Sequence, residues 1–546
     1  MATIKTIDSL TGFLSRKKIT IQCHNYPDAD TIGSGFALWQ YFFDHGIDVR
    51  LVYGGSHQIA KSNLRMFVDR LHIPIEHVED GYRTDGLLIT VDCQYLSSNI
   101  IHIEADEVLM IDHHRQGENI DRIRKLDIEC HSCIKEHYGS CASVVYQLFQ
   151  KSRYSMSLEV STALYYGLYM DTNEFSEVRH PADREARDEL VFDDRIFMLL
   201  KNSNLSAEEL KQAGASLQNF DSKGQLAVIE SVQCDPNVLG MIADMMIRVE
   251  NINTAIVFNR LNRDDYNPEQ SDIYKFSVRT CVGEIRANEL AELIAAPLVN
   301  SVRIGGGGGH RLKAGGRVNV GLFEKYLREQ GSSETFNEYL YRVFEEYSSI
   351  ARIIYSDSYD FDDLVRYAEK YEETQYVMGY VCSTEIAEEG RPLLIRGTAG
   401  DVREKVSPDL YIMVSCRGDV VTVSRSEFVQ RYRDCEGPLN MVEFSKYDEP
   451  RIVVDQSGRK FYLKNRLHCC TFRKPQYVWV IPIEKLGTPV KLVDSKWASS
   501  DFRFGNITDY LVINEKQHSE ISIVDSVRFG AIYKKVRHTG DMINDR

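Results

Sequence analysis

The sequence predicts an α/β protein in three parts: a parallel-sheet domain, a second α/β domain and a β-rich C-terminal region. Three observations carry this. Residues 1–200 alternate unbroken apolar runs with helical patterns, which marks βαβ units and a parallel sheet. Residues 223–347 return to strands, a helix and a glycine-rich stretch, and residues 348–546 are dominated by short strand patterns. The length of 546 residues, at about 150 per domain, agrees with two to four domains.

The elements follow in order. "ITIQCHNYPDADTIGSGFALWQYFFDHG" reads as strand, polar loop and helix, with Phe36, Leu38, Trp39, Phe42 and Phe43 on the apolar side. "LLITVDCQ" and "VLMIDHHRQG" are further strands, apolar without alternation and so covered on both faces. "CHSCIKEHYGSC" places Cys130, Cys133, His137 and Cys141 near a zinc-knuckle spacing. Because the segment runs on into the helical "ASVVYQLFQ", Cys141 is expected to open a helix and pack there, and zinc stays open. "SLEVSTALYYGLYMDTNEF" gives a helix over about Glu159–Met170 that ends at an acidic loop. A charged helical stretch from about Asp183 to Gln218 looks like a connector between lobes, and the boundary between the two α/β domains is set at residues 201–222.

Beyond it, "NTAIVFNR" and "DIYKFSVRT" are strands, "ANELAELIAA" is a helix and "IGGGGGHRLKAGG" is a loop, with the domain ending near Tyr347. "DDLVRYAEKYEE" reads as the last long helix. Strands such as "LYIMVSC", "VVTVS", "YVWVIPI" and "YLVINE" then dominate. "DLYIMVSCRGDVVTVSRSEFVQRYR" and "DYLVINEKQHSEISIVDSVRFGAIYKK" share a layout of strand, turn, strand and a Phe/Tyr segment, which suggests an internal repeat.

Charge narrows the partners. Lys and Arg number 65 against 80 Asp and Glu, a net of −15, so the surface should repel long polyanions. Long duplex nucleic acid is therefore not expected, whereas a short phosphorylated substrate at a local positive site is compatible. The N-terminal residues lack the apolar segment of a signal peptide, and no run of 18 apolar residues occurs, so the expectation is a cytoplasmic protein without a membrane partner. Twelve cysteines in a chain of this length suggest reduced, mostly buried thiols.

The chemistry gathers where elements end. "HNYPDAD" places His24, Asp28 and Asp30 on the loop after the first strand, and "VDCQ" places Asp92 at the carboxyl end of another. "DHH" adds Asp112, His113 and His114, and "YMDTNEF" adds Asp171. In open α/β sheets ligands bind outside the carboxyl ends of the strands, so these side chains should converge. Crowded carboxylates repel unless cations neutralise them, and carboxylate mixed with imidazole suits a borderline divalent ion such as manganese, two ions being the natural count. Farther on, Gly305–Gly309 beside His310 and Arg311 could bring backbone N–H groups to an anion, and Arg279 in "SVRT" offers a bidentate fork for phosphate. Arg286 and Lys313 are lesser candidates.

The ordered set "HNYPDAD", "VDCQ", "DHH", "GLYMDTNEF", "SVRT" and "GGGGHRLKAGG" resembles the DHH phosphoesterase superfamily with its DHH-associated domain, most nearly the nanoRNase type, over about residues 1–345. The resemblance implies a cleft site between the two α/β domains and manganese at two positions, with magnesium or cobalt as substitutes. His24, Asp28 and Asp92 would hold one ion, and Asp30, Asp92, His113 and Asp171 the other, with Asp92 bridging. His114 would touch the scissile phosphate, and Asp112 would orient the histidine pair. Arg279, Gly306, Gly307, Gly308, Gly309 and His310 would grip a substrate phosphate. The implied reaction is metal-activated hydroxide attack on short RNA or DNA oligonucleotides, or on linear or cyclic dinucleotides, releasing nucleoside monophosphates. The alternatives are a 3′-phosphoadenosine 5′-phosphate phosphatase, a pyrophosphatase or exopolyphosphatase, a single-strand exonuclease of the recombination type, which the acidic balance disfavours, and a nucleotide-sensing module without turnover. A homodimer is compatible with all of them. The five-glycine run and the bulkier start of "RLKAGG" depart from the family pattern, and residues 348–546 have no counterpart in the compact nanoRNases.

Overall fold

The computed structural model describes residues 2–536 apart from positions 4–5, 14–17, 56–57, 60, 98, 115–121, 124–127, 151, 153, 179, 204–205, 219, 235, 262–271, 375–376, 399, 416–417, 437–446, 448, 455–457, 465 and 495–500. The chain folds as two compact units, each assembled from two stretches of sequence. The first holds Met1–Asn204 with Gln375–Lys474, and the second Leu205–Thr374 with Pro475–Arg546. The β-rich residues 348–546 are thus divided between the units rather than forming one region.

The first unit is built on a seven-stranded sheet. Its strands are β1 (Ala2–Thr3), β2 (Lys18–Gln22), β3 (Asp48–Tyr53), β4 (Ile75–His77), β5 (Leu87–Val91), β6 (Glu107–Asp112) and β7 (Glu129–Ile134). They lie in the order β1-β7-β6-β5-β2-β3-β4, and every pairing is parallel. The apolar runs have the expected cause: Leu109 and Ile111 enter one core cluster while Val108 and Met110 enter another, so β6 is covered on both faces. Cys130 packs with the second cluster and Cys133 lies in the first. Residues three apart on a strand face opposite ways, so these two thiols cannot share an ion.

Helix Ala29–Asp44 starts on Asp28, whose Oδ1 accepts from the N–H of Asp30 and Thr31. It crosses helix Leu158–Asp171 closely. A Cβ at Gly33 would stand 2.6 Å from the Ala163 carbonyl oxygen, and one at Gly167 would stand 3.0 Å from the Cα of Asp30, so the crossing requires glycine at both points. The charged stretch is helical over Pro181–Glu189, Asp194–Lys201 and Ala207–Leu217, the last of these lying within residues 201–222.

The second unit holds a six-stranded sheet in the order Gly305–Gly309, Lys313–Asn319, Ile273–Thr280, Thr254–Leu261, Leu226–Glu230, Asp221–Lys223. This corrects the sequence reading: the glycine run is an edge strand paired antiparallel with Lys313–Asn319, not a loop. Its composition follows from what it packs on. A Cβ on Gly307 would lie 2.1 Å from the Ala291 carbonyl oxygen in helix Ala287–Ala295, whereas Gly306 and Gly308 face open space. The reading of "DDLVRYAEKYEE" is corrected as well. Only Phe361–Val365 is helical, and Glu369–Glu373 forms a strand between Gln476–Pro482 and Tyr533–Lys535.

The repeat noticed in the sequence is present in the topology. In the first unit a five-stranded sheet runs Val420–Ser424, Leu410–Val414, Met378–Cys382, His468–Phe472, Tyr432–Asp434. In the second the order is Ile521–Val524, Tyr510–Asn514, Gln476–Pro482, Glu369–Glu373, Tyr533–Lys535. Corresponding short helices, Arg425–Arg431 and Ser526–Ile532, precede the last strand of each. The copies differ in one strand: His468–Phe472 follows the rest of its module, whereas Glu369–Glu373 precedes its own by about a hundred residues. No helix among the described residues is long and apolar enough to cross a membrane.

Candidate metal centre

The predicted ligands meet at the carboxyl end of the parallel sheet. Asp92 follows β5 in the left-handed region at φ +59°, a conformation Asp tolerates better than most residues, and its N–H donates to Ile111 of β6 at 2.9 Å. This turn aims its buried carboxylate between two sets of donors. Oδ2 lies 3.7 Å from His24 Nε2, which is itself 3.8 Å from Asp28 Oδ2. Oδ1 lies 3.3 Å from His113 Nε2 and 3.6 Å from His114 Nδ1. His113 Nε2 also stands 3.2 Å from Asp171 Oδ2 and 4.0 Å from Asp30 Oδ2.

Each side chain is placed by a local device. Asp30 sits at the N-terminus of helix Cys141–Gln150, where the N–H groups of Cys141 and Ala142 donate to its two oxygens at 2.7 and 2.8 Å. Asp171 is the last residue of its helix, and Asn173, Glu174 and Phe175 all take positive φ in the turn beyond. Three consecutive left-handed non-glycine residues are costly, and such strain gathers at functional sites. Asp112 ends β6 with Oδ1 accepting from the N–H groups of His113 and His114 and facing His114 Nδ1 at 2.9 Å. Its Oδ2 accepts from Gln94 at 2.9 Å. His113 is oriented at its other nitrogen, with Nδ1 lying 3.1 Å from the Tyr138 carbonyl.

Two supporting residues carry no mark of their role in the sequence. Gln94 lies in "VDCQ", and nothing in its type identifies it as the holder of Asp112. Asp183 opens the charged helical stretch, yet it is fully buried and accepts from the Gly139 N–H at 2.8 Å.

The electrostatics describe a site short of positive charge. Burial first, and then the neighbouring Asp171, pushes the Asp30 carboxyl well above the usual range. Burial and Asp30 do the same to Asp92. Burial alone would lower His113, but Asp92 and Asp171 raise it. Among the described residues, no donor reaches the buried Asp92 Oδ1 in good hydrogen-bond geometry. Of four sets of donor atoms within 4.8 Å of one another among the described residues, three meet here, His24, Asp28, Asp92; Asp30, His113, Asp171; and Asp92, His113, His114, and the fourth, Glu107, Glu129 and His131, lies apart from them. The mix of carboxylate and imidazole fits a divalent cation.

Residues 18–168 match the model of the DHH family, N-terminal domain. That segment is similar to the DHH family. Over 311 residues the chain is 26% identical to an uncharacterized protein of Methanocaldococcus jannaschii, covering 56% of this chain and 59% of that protein. It is 26% identical to a probable manganese-dependent inorganic pyrophosphatase of Streptococcus mutans, covering 32% of this chain and 54% of that one. It is also 26% identical to a bifunctional oligoribonuclease and PAP phosphatase of Mycoplasma pneumoniae, covering 31% and 50%. The chain spans about half the length of the curated relatives it matches. Among solved structures, an exopolyphosphatase-related protein from Bacteroides fragilis aligns with a TM-score of 0.43 at 19% identity, over 62% of this chain and 97% of that one.

In the second unit, residues 306–309 and Arg279 lie on strands of one sheet with Lys313–Asn319 between them, and His310 lies in the turn after the glycine strand. Arg279 Nε donates to Asp244 at 3.0 Å, and Nη1 donates to Ser277 at 2.9 Å, so its fork is held in a set direction. Gly240 makes room for it, since a Cβ there would meet Nη2 at 2.4 Å. His310 follows Gly309, which takes φ +137° at the turn between the two paired strands. Arg286 is committed elsewhere: it pairs with Glu289 at 2.8 Å and lies over the Phe502 ring at 4.0 Å.

Proposed function

We propose that the chain is a divalent-metal-dependent phosphodiesterase that cleaves short oligonucleotides, or linear or cyclic dinucleotides, to nucleoside monophosphates. One observation carries this reading: Asp92 is shared, with Oδ2 toward His24 at 3.7 Å and Oδ1 toward His113 at 3.3 Å, so a single buried carboxylate serves two donor sets. The names of relatives support it, since they include the oligoribonuclease and PAP phosphatase of Mycoplasma pneumoniae and a cyclic-di-AMP phosphodiesterase of Geobacillus thermodenitrificans, the latter 25% identical over 29% of this chain. Manganese is the ion we favour, after the Streptococcus mutans relative, with magnesium or cobalt as substitutes.

His24, Asp28 and Asp92 would hold one ion, and Asp30, Asp92, His113 and Asp171 the other. Bound there, such ions would polarise a phosphoryl group and acidify an attacking water. The chain's own residues do the rest. Asp112 holds the His114 ring at Nδ1 from beneath, and we assign Nε2 to a phosphoryl oxygen of the substrate, where the partly exposed imidazole donates a hydrogen bond as charge develops. Arg279, Gly306, Gly307, Gly308, Gly309 and His310 are assigned to binding a phosphate, with Asp244 and Ser277 aiming the guanidinium.

The test incubates the purified chain with Mn²⁺ and a panel of dinucleotides, cyclic dinucleotides, 3′-phosphoadenosine 5′-phosphate and pyrophosphate. Mononucleotide release from a dinucleotide is expected. It should vanish in Asp92→Asn, together with the rise in melting temperature that Mn²⁺ gives the wild type. Turnover of pyrophosphate alone would assign the pyrophosphatase reading. A dinucleotide bound and left intact would make the chain a sensor.

A further inference from the structure

Loop 138–142 serves two of the candidate ligands at once. The Tyr138 carbonyl faces His113 Nδ1 at 3.1 Å, and the N–H groups of Cys141 and Ala142 hold Asp30. The loop is gripped in turn by helix Pro181–Glu189. Asp183 accepts from the Gly139 N–H, and the ring of His180, the residue capping that helix, stacks on the Tyr138 ring with centroids 4.3 Å apart and 27° between planes. A Cβ on Gly139 would meet Thr172 at 2.9 Å, so the loop lies tight against its support.

That helix is gripped from its other side by the β-rich module of the same unit. Glu185, fully buried, pairs with Arg451, whose Nε lies at 3.0 Å, and with Lys460 at 3.0 Å. The Tyr447 ring, 1% exposed, meets His180 edge-on at 5.7 Å and 85°, and its hydroxyl accepts from the Arg451 N–H at 3.3 Å. Three rings, Tyr447, His180 and Tyr138, thus run from the core of the module to the carbonyl that orients His113.

We propose that Tyr447 and Arg451 are positioning residues for the metal centre, acting through His180 and Tyr138 on the loop that orients His113 and Asp30. The inference rests on the metal reading above. Groups behind a metal ligand fix its direction, and losing one typically weakens metal binding on the order of tenfold to a hundredfold. A module that merely covered the helix would change stability when damaged anywhere, and would leave affinity alone.

The experiment measures Mn²⁺ affinity by titration calorimetry on the full chain, alongside urea unfolding of the metal-free protein. Tyr447→Leu removes the ring, Tyr447→Phe keeps it, and Tyr138→Leu breaks the stack at its half-buried end. Phe428→Leu damages a different core cluster of the same module. Tyr447→Leu and Tyr138→Leu should weaken Mn²⁺ binding tenfold to a hundredfold. Tyr447→Phe should bind like the wild type, and Phe428→Leu should lose stability with unchanged affinity. Unchanged affinity in Tyr138→Leu, or an equal loss in Phe428→Leu, overturns the proposal. A wild-type chain that takes up no Mn²⁺ overturns the metal reading instead, and the inference falls with it.

Discussion

Asp112 ends its strand with both oxygens engaged, one by His113 and His114, the other by Gln94. Burial would raise its carboxyl, but the hydrogen bond from His114 and the nearby imidazoles hold it below the usual range, so it stays an acceptor for His114. Because His114 is the more exposed histidine of the pair and is tied through Nδ1, His114→Ala should keep Mn²⁺ uptake while kcat falls on the order of a hundredfold to a thousandfold, the cost of one oriented donor. Loss of metal uptake in that variant would place His114 among the ligands. Asp183 gives a pH signature of opposite sign. Burial pushes its carboxyl up from 3.8 to about 6, so the folded state favours the protonated form. Its contribution to stability is therefore present below pH 3.8 and is lost as pH rises toward 6. Asp183→Asn keeps an acceptor for Gly139 and does not ionise. The melting temperature of Asp183→Asn relative to wild type, both metal-free, should climb between about pH 4 and 6 and level off above. A difference that stays constant with pH would show that Asp183 does not titrate there.

At the scale of elements, the glycine run ties composition to packing. Gly307 lies against the backbone of helix Ala287–Ala295, so Gly307→Val should overpack the contact and cost about 1–3 kcal/mol or more in urea unfolding. Gly306→Ser enters open space and should be near neutral. Equal effects at the two positions would mean that the strand does not press on the helix. The run also marks where sequence reading stops. "VLMI" was legible as a strand because both faces are covered, which leaves an unbroken apolar string, and Asp28 was legible as a loop acid from the polar stretch between strand and helix, where the structure makes it the helix cap. Five glycines carry no periodicity, so nothing local separates a loop from a strand pressed flat against a helix. "EKYEE" has helical composition and becomes a strand only through partners about a hundred residues away in Gln476–Pro482, with Lys370 bonded to Glu515. Asp183 and Glu185 sit in "PADREARDE", which looks solvated. Their burial comes from folding against loop 138–142 and against Arg451, contacts that no local pattern announces.

At the scale of the whole chain, residues 375–474 are inserted into a module they do not belong to. The flanking strands Glu369–Glu373 and Gln476–Pro482 pair antiparallel with Glu373 opposite Gln476, so the two ends of the insertion leave the second unit about one strand spacing, roughly 5 Å, apart. That is the span of a tight hairpin turn. A chain of residues 205–374 joined to 475–546 through Asn-Gly therefore retains every strand of the second unit's sheets, and the dipeptide supplies the φ > 0 residues such a turn needs. It should fold alone and unfold in one cooperative urea transition, since domains with their own cores stand independently and insertions concentrate at such junctions. Ending the chain at Thr374 instead removes both neighbours of Glu369–Glu373 and also Phe502 and Lys491, which pack on Arg286 and Tyr347, so this shorter chain should be less stable than the joined one. If both chains unfold at the same urea concentration, residues 475–546 add nothing to the second unit. If the joined chain fails to fold while the longer parent does, the insertion supports a unit whose sheets it does not enter.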